Sequence, residues 1–527
     1  MASTPTTKSQ VQAYRFVLRR MESALVRKDA VMLHDPMGSH KRATVTGAIL
    51  AVIGLIGFLV WGLFGGKGSV PDPGSIVIAK ETGSVFVVTS DDKAQKRLTP
   101  MLNMASAKLL VMAQGANQGG PIQPTVVKEA ALADFPRGPR TGMVNAPTYL
   151  PDGSNPAAPF WAICDVADTR DMPMTSNVDR QPKIETTVIG GDDHHGTELA
   201  PDQSLFVRDQ TSGKEYLVYR VQDLSNRKNT HAVKAEVDQT QTTVMDMYGL
   251  NGVTPRTISS NMLNAIPSVQ PLRVPDIDGD RGQASYMPRY RVGDVVRRTV
   301  PGEPDQYFLL LKSGKQEISA GAAAVLHAKN YNSRDIPNAT GALTQAKDAD
   351  DSDQMNLSSF PMVVPKPVSF QQSDTSCLSW KNNNGSQDIT VTLNKGNPAP
   401  KPAVKLAQYD GNGPNVDYFY MPAGKSAVVR GTTNESGSDS GPIFLVSDQG
   451  VLYGIKDVAT AQGLGVVRGG GDIKAGPSWL MRNNTLPQGD FLDPAQASFI
   501  YDSIPVPPGG ISRPPQNKQQ AGAAGGS

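Results

Sequence analysis

The amino-acid sequence predicts a single transmembrane helix followed by a large β-rich α+β region of divergent repeats. Three observations carry this reading. The stretch Thr44–Phe64 has no charged residue over 21 positions, positive charge is concentrated before it, and strand-turn-strand segments recur along a chain holding 51 Gly and 41 Pro. At 527 residues the chain exceeds what one hydrophobic core organises, since cores stop growing at about 250–300 residues. Low charge and abundant turn formers favour short strands over long helices.

The uncharged run TVTGAILAVIGLIGFLVWGLF spans about 31 Å as a helix, the thickness of a bilayer's hydrocarbon core. A signal peptide does not fit: the lead before the run and the run itself are too long, and no small-residue cleavage site lies between Trp61 and Lys67. The run is an uncleaved anchor. Gly47, Gly54 and Gly57 share part of one helix face, which suits close approach of a second helix but is also common in lone spanning helices.

Residues 1–43 carry eight Lys or Arg against three acids, so about +5 of the overall +2 sits there and the remainder nets about −3. Lys and Arg stay on the cytoplasmic side, which puts the N-terminus inside and residues beyond about 68 outside. The expected layout is a basic cytoplasmic segment (1–43), the anchor (44–64), a periplasmic region (70–510) and a flexible tail (511–527). Within the first segment, SQVQAYRFVLRRMESALVRKDAVML reads as a basic amphipathic helix with Ser9 as N-cap. Such a helix lies on anionic lipid, docks a cytoplasmic partner or packs beside its own anchor. Arg15, Phe16, Arg19 and Arg20 are the candidate docking residues.

The exported part opens with SIVIAK and SVFVVTS around a turn at Glu81–Gly83, a hairpin pattern. LFVRDQTSGKEYLVY, YFLLLKSGKQEIS and FLVSDQGVLYGI repeat it, and the last two run into the helix-compatible AGAAAVLHA and KDVATAQGLG. A second element follows: a short helical stretch and an apolar-Pro step, at Phe135-Pro136, Ile266-Pro267 and Leu486-Pro487, with Leu272 and Leu492 six residues past the latter two. Repeats are expected near 75–150, 200–275, 300–330 and 440–500. Polar, proline-rich stretches between 330 and 400, such as NNNGSQD and GNPAPKPAVK, read as loops, and the Gly/Pro-rich C-terminus as an extended tail. Cys164 and Cys377 are the only cysteines. In an oxidising compartment they form either one intrachain disulfide, closing a long loop, or two separate buried thiols.

QAYRFVLRRMESALVRKDAVMLHDPM, the basic HKRA step, the single apolar helix, repeats containing LNAIP and LDPAQA, and two exported cysteines together resemble EccB, the single-pass membrane component of the mycobacterial type VII (ESX) secretion apparatus. The resemblance covers nearly the whole chain and is most specific over the first 64 residues. It implies a structural subunit that anchors and assembles the periplasmic part of an inner-membrane channel, with repeats around a central β-rich core and a Cys164–Cys377 disulfide. Implied partners are the EccC motor ATPase, polytopic EccD, EccE, the mycosin protease, other EccB copies and the cell wall. The alternatives are a periplasmic nucleotide hydrolase, because members of the family are sometimes labelled ATPases, and a cell-wall-binding protein.

No catalytic, cofactor or metal constellation is expected. The only GKS is Gly424-Lys425-Ser426, with Phe419 where a P-loop requires its first glycine. Ser440 after Asp439 imitates the nucleophile loop of chymotrypsin-like proteases without a recognisable histidine partner. Asp192-Asp193-His194-His195 reads as a solvated loop. Asp276, Asp278 and Asp280 mimic a calcium loop, but Arg281 stands at the turn glycine and Met287 where the bidentate Glu belongs. A mildly acidic exported region argues against nucleic-acid binding.

Overall fold

The computed structural model describes residues 7–28, 38–64, 70–90, 95–115, 121–153, 156–169, 182–193, 196–222, 230–331, 333–383, 386–431, 441–468, 473–482 and 485–500. The chain divides into two compact units, Met1–Ser69 and Val70–Ser527. In the first, α1 spans Lys8–Arg27 and begins at Thr7 rather than at the expected Ser9. The Gln10 side chain explains the shift, because its Oε1 accepts the Thr7 N–H at 2.9 Å and satisfies one of the donors a helix start leaves open. The second helix, α2, spans Gly38–Phe64, about 40 Å long at 1.5 Å per residue. It holds the one described segment long and apolar enough to cross a membrane.

The second unit repeats one plan. In the first repeat β1 (Ile76–Ala79), β2 (Val85–Ser90) and β3 (Lys96–Pro100) form an antiparallel meander, followed by α3 (Met104–Ala113), β4 (Thr125–Val127) and α4 (Glu129–Leu132). β4 returns parallel to β1. Two long strands then enter the centre, β5 (Phe160–Asp168) and β6 (Lys183–Gly190), followed by the short β7 (Thr197–Glu198). The second repeat has β8 (Gln203–Asp209), β9 (Glu215–Gln222), β10 (Thr230–Glu236), α5 (Thr242–Met247), β11 (Arg256–Ile258) parallel to β8, and α6 (Ser260–Ala265). The third has β12 (Val295–Arg298), β13 (Gln306–Leu310), β14 (Lys315–Ile318), α7 (Ala320–Tyr331) and α8 (Thr340–Gln345).

β15 (Lys366–Pro367) leads back to the centre, where β16 (Thr375–Asn383), β17 (Ser386–Asn394), β18 (Val404–Lys405) and β19 (Tyr418–Tyr420) complete a seven-stranded sheet of order β18-β19-β6-β5-β16-β17-β7. The fourth repeat closes the chain with β20 (Ala427–Gly431), β21 (Ile443–Val446), β22 (Leu452–Ile455), α9 (Val458–Leu464), β23 (Ala475–Gly476) and a 3-10 turn at Ser478–Met481. The expected loop NNNGSQD is therefore corrected: Asn382, Asn383 and Ser386 to Asp388 belong to β16 and β17. Pairing in the central sheet overrides the weak strand propensity of Asn, Asp and Gln.

The apolar-Pro step has one structural job. The strand N–H of Leu98, Lys234 and Leu452, each in the third strand of a meander, donates to the carbonyl of Pro136, Pro267 and Pro487 at 2.8–2.9 Å, and the N–H two residues past the proline returns to the same strand residue at 2.8–3.0 Å. The third repeat makes the same pair of bonds between Lys315 and Lys347/Ala349. Lys347 stands where the others have proline, which hides that copy from the sequence pattern. Proline is tolerated there because the position uses only its carbonyl. Leu272 and Leu492 then bond the strand again and are fully buried. The hairpin turns match as well: Gly83 and Gly213 both have φ of +69°, a left-handed conformation that glycine adopts without steric cost.

The repeats pack as nested pairs. The second and third share one core, including Tyr219, Tyr248, Leu309 and Leu326, while the first and fourth share another, including Leu109, Leu110, Leu445 and Leu464. Close approach of α3 and α9 rests on Gly463, where an added Cβ would lie 2.3 Å from the Met112 sulfur. Strand alternation feeds two cores at once: Leu217, Tyr219 and Val221 of β9 face the repeat pair, whereas Val218 joins the central core with Trp161, Trp380 and Phe419.

If the returning step organises each repeat, Leu272→Ala and Leu492→Ala each lower unfolding free energy by roughly 2–5 kcal/mol in urea titrations of the purified chain. Losses under about 1 kcal/mol at both positions would assign the step no structural weight.

Candidate functional site

The most constrained point of the second unit is the junction of β5 and β16. Their antiparallel register sets Cys164 directly opposite Cys377, and the two form a disulfide with an S–S distance of 2.09 Å. Both sulfurs are buried with Phe160, Ala162 and Ile189. The bond encloses the second and third repeats in a loop of sequence separation 213, worth about 5 kcal/mol in the chain-entropy model.

Asp165, the next residue, points to the opposite face of β5 and ties the sheet to the second repeat. Its carboxylate accepts from Thr186 Oγ1 at 2.9 Å, Ser259 Oγ at 2.7 Å and Ser259 N–H at 2.6 Å. Ser259 is also the N-cap of α6, accepting from the Met262 N–H at 3.2 Å. Burial pushes the Asp165 carboxyl up to about 6, the Ser259 and Thr186 hydrogen bonds oppose that shift, and nearby Asp417 adds to it. Asp417 in turn accepts the Thr186 and Gly411 N–H groups, each at 2.8 Å. Beside them, buried Arg256 stacks 4.3 Å from the Phe370 ring and bonds the Val368 and Ser369 carbonyls. Every partner in this cluster holds backbone or another side chain in place, and the Ser259 and Thr186 hydroxyls both donate to Asp165 rather than to a histidine.

The remaining sequence candidates scatter. Gly424-Lys425-Ser426 lies in a turn between β19 and β20, two strands, so no helix start faces a phosphate there. The Gly424 N–H is bonded instead to Asp448 at 3.1 Å, and Ser426 is buried with its carbonyl accepting the Ala157 N–H. The calcium mimic is neutralised by lysines, Asp278 by Lys312 and Asp280 by Lys329 at 3.2 Å, while Met287 is buried. Among the described residues no group of three or more His, Cys, Asp or Glu converges to hold a metal. Asp439, Ser440, His194 and His195 lie outside the described residues. On α1, Arg15, Arg19 and Arg20 are exposed and Phe16 is half-buried, while Tyr14, Met21, Leu25 and Val26 leave an apolar strip uncovered within this unit.

Comparison with known proteins gives a consistent result. A family model described as Type VII secretion system ESX-1, transport TM domain B, matches residues 3–506. The ESX-3 secretion system ATPase EccB3 of Mycobacterium tuberculosis is 28% identical over 534 aligned positions, covering 96% of this chain and 92% of the relative. The ESX-1 secretion system ATPase EccB1 of the same species is 26% identical, covering 99% and 98%. In fold, the chain is similar to one in the intact ESX-5 inner membrane complex, with TM-score 0.64, 23% identity and coverage of 98% and 99%. It is also similar to the EccB3 dimer from the ESX-3 core complex, with TM-score 0.62, 22% identity and coverage of 80% and 99%.

Two measurements check the junction. Alkylation of the denatured, non-reduced chain should label neither Cys164 nor Cys377, and labelling of both would remove the disulfide. Asp165 has a folded-state pKa above its unfolded value, so its contribution to stability is complete below about pH 4 and is lost as pH rises through about 6. Asp165→Asn should therefore gain stability relative to the parent between pH 4 and 7, by on the order of 3 kcal/mol. A pH-independent difference in melting temperature would show that the carboxyl does not titrate in this range.

Proposed function

We propose that this chain, which belongs to the EccB family of type VII (ESX) secretion systems, is a single-pass structural subunit of a secretion complex in the inner membrane. The carrying observation is a family match that runs from α1 through α2 and all four repeats. In this reading α2 spans the membrane with α1 in the cytoplasm and the second unit lies in the periplasm; the expected tail, residues 511–527, lies outside the described residues. Solved structures of the family are an inner-membrane assembly and a dimer, so secretion-complex partners and further copies of the chain are the expected company. The EccC motor ATPase, EccD, EccE and the mycosin protease are the specific partners proposed. Arg15, Phe16, Arg19 and Arg20 would dock cytoplasmic partners or anionic lipid through the basic face of α1, and the repeats would assemble around the channel or touch the cell wall.

The word ATPase in the names of relatives suggests a second reading. The strand-turn-strand setting of Gly424-Lys425-Ser426 argues for placing ATP hydrolysis in a partner subunit. Affinity purification from membranes in mild detergent tests both. Recovery in a megadalton assembly with a motor ATPase and a polytopic subunit, with turnover indifferent to Lys425→Ala, is the expected outcome. Recovery as a small monodisperse species, or turnover that Lys425→Ala abolishes, would overturn the scaffold reading.

A further inference from the structure

A groove of about 660 Å³ opens where the second repeat, the central sheet and the fourth repeat converge, a volume within the range of small-molecule sites. Two cations line it. Lys234, only 7% exposed, donates to the Leu263 carbonyl and sits 5.9 Å from the Tyr216 ring centroid. Arg482, exposed, donates to the Asn264 carbonyl at 3.0 Å. Among the described residues neither has a carboxylate partner. The one acid lining the groove, Glu236, has both oxygens on Lys214 at 3.2 Å. A neutral donor is also open at this wall: the buried indole N–H of Trp479 has no hydrogen-bond partner, and buried donors are nearly always matched.

We propose that this groove binds an oxyanion, a carboxylate or phosphate carried on a small organic ring, with Lys234 and Arg482 as its counter-charges. A buried Lys234 facing Arg482 across a recess whose one acid is bound to Lys214 is costly to keep charged. Burial lowers the Lys234 pKa to about 8, the Arg482 charge adds to that, and Asp209 offsets only part. An anion between them relieves both the desolvation and the repulsion, and charge-assisted hydrogen bonds to it are the stronger kind. Tyr216 and Ile389 supply apolar edges against which a ring lies.

The groove contains Trp380 and Trp479, so intrinsic fluorescence of the purified full-length chain reports binding. The probes are glucuronic acid, glucose 1-phosphate, inorganic phosphate and uncharged glucose. The expected result is saturable change with a charged sugar, none with glucose, and affinity weakened by roughly tenfold or more in both Arg482→Gln and Lys234→Met, as loss of one charge-assisted bond implies. The better of the two charged sugars names the group as carboxylate or phosphate. Inorganic phosphate binding as tightly as glucose 1-phosphate would overturn the ring. No saturable change with any anion, or affinity unchanged in Arg482→Gln, would overturn the site; because Arg482 is on the surface, that variant decides even if Lys234→Met fails to fold.

Discussion

The pairing of β5 with β16 is the constraint on which the rest of the second unit depends. It joins strands more than two hundred residues apart, with Cys164 bonded to Cys377 at their centre. Once β16 lies against β5, the chain before and after the closed loop has to leave the sheet near its entry. That geometry brings the first repeat to the fourth and confines the second and third to each other. Contacts of such high sequence separation carry a large closure entropy, and one covalent bond at the junction offsets it where the chain would otherwise be most open.

Pairing of repeats follows from what one repeat lacks. A three-stranded meander with its short helices covers part of a single sheet face and leaves the other bare. Two-sided strands such as β9 and β21 answer this by giving one face to the partner repeat and the other to the central core: Ile443 and Leu445 enter the first, Val446 the second. Asp165 works at the same seam, binding the cap of α6 to the central sheet. The tie costs a buried carboxylate, and its hydrogen bonds recover only part of that desolvation.

The hairpins were legible because apolar runs flank short Gly-containing turns, and the three proline steps because an apolar-Pro pair recurs after a short helical stretch. The corresponding step of the third repeat was not, since Lys347 fills the proline position and the backbone carbonyl, which does the work, has no sequence signature. β16 and β17 were also missed. Their buried positions include Thr375 and Ser376, polar residues whose hydroxyls meet Asp374 and Met262, neighbours that sequence alone does not name. Asp165 left a usable trace as an acid in the middle of the strand-like FWAICDVA, whereas Lys234 and Arg482 come from distant segments and left none. The family resemblance supplied what periodicity could not, above all the pairing of the two cysteines.

The returning step has a consequence for how copies of this chain meet. In every repeat the outer side of the third strand is occupied by the chain's own backbone, and beside the first strand lies either a strand of two or three residues or, in the third repeat, a single pairing of Arg297 with Asn338. An incoming strand would find almost no free N–H and C=O ladder to extend. Fibre-like growth through sheet edges is thereby closed off at the repeats, so recognition between neighbouring molecules has to be written in side-chain surfaces. Those are features that mutation can tune one residue at a time without disturbing the fold beneath.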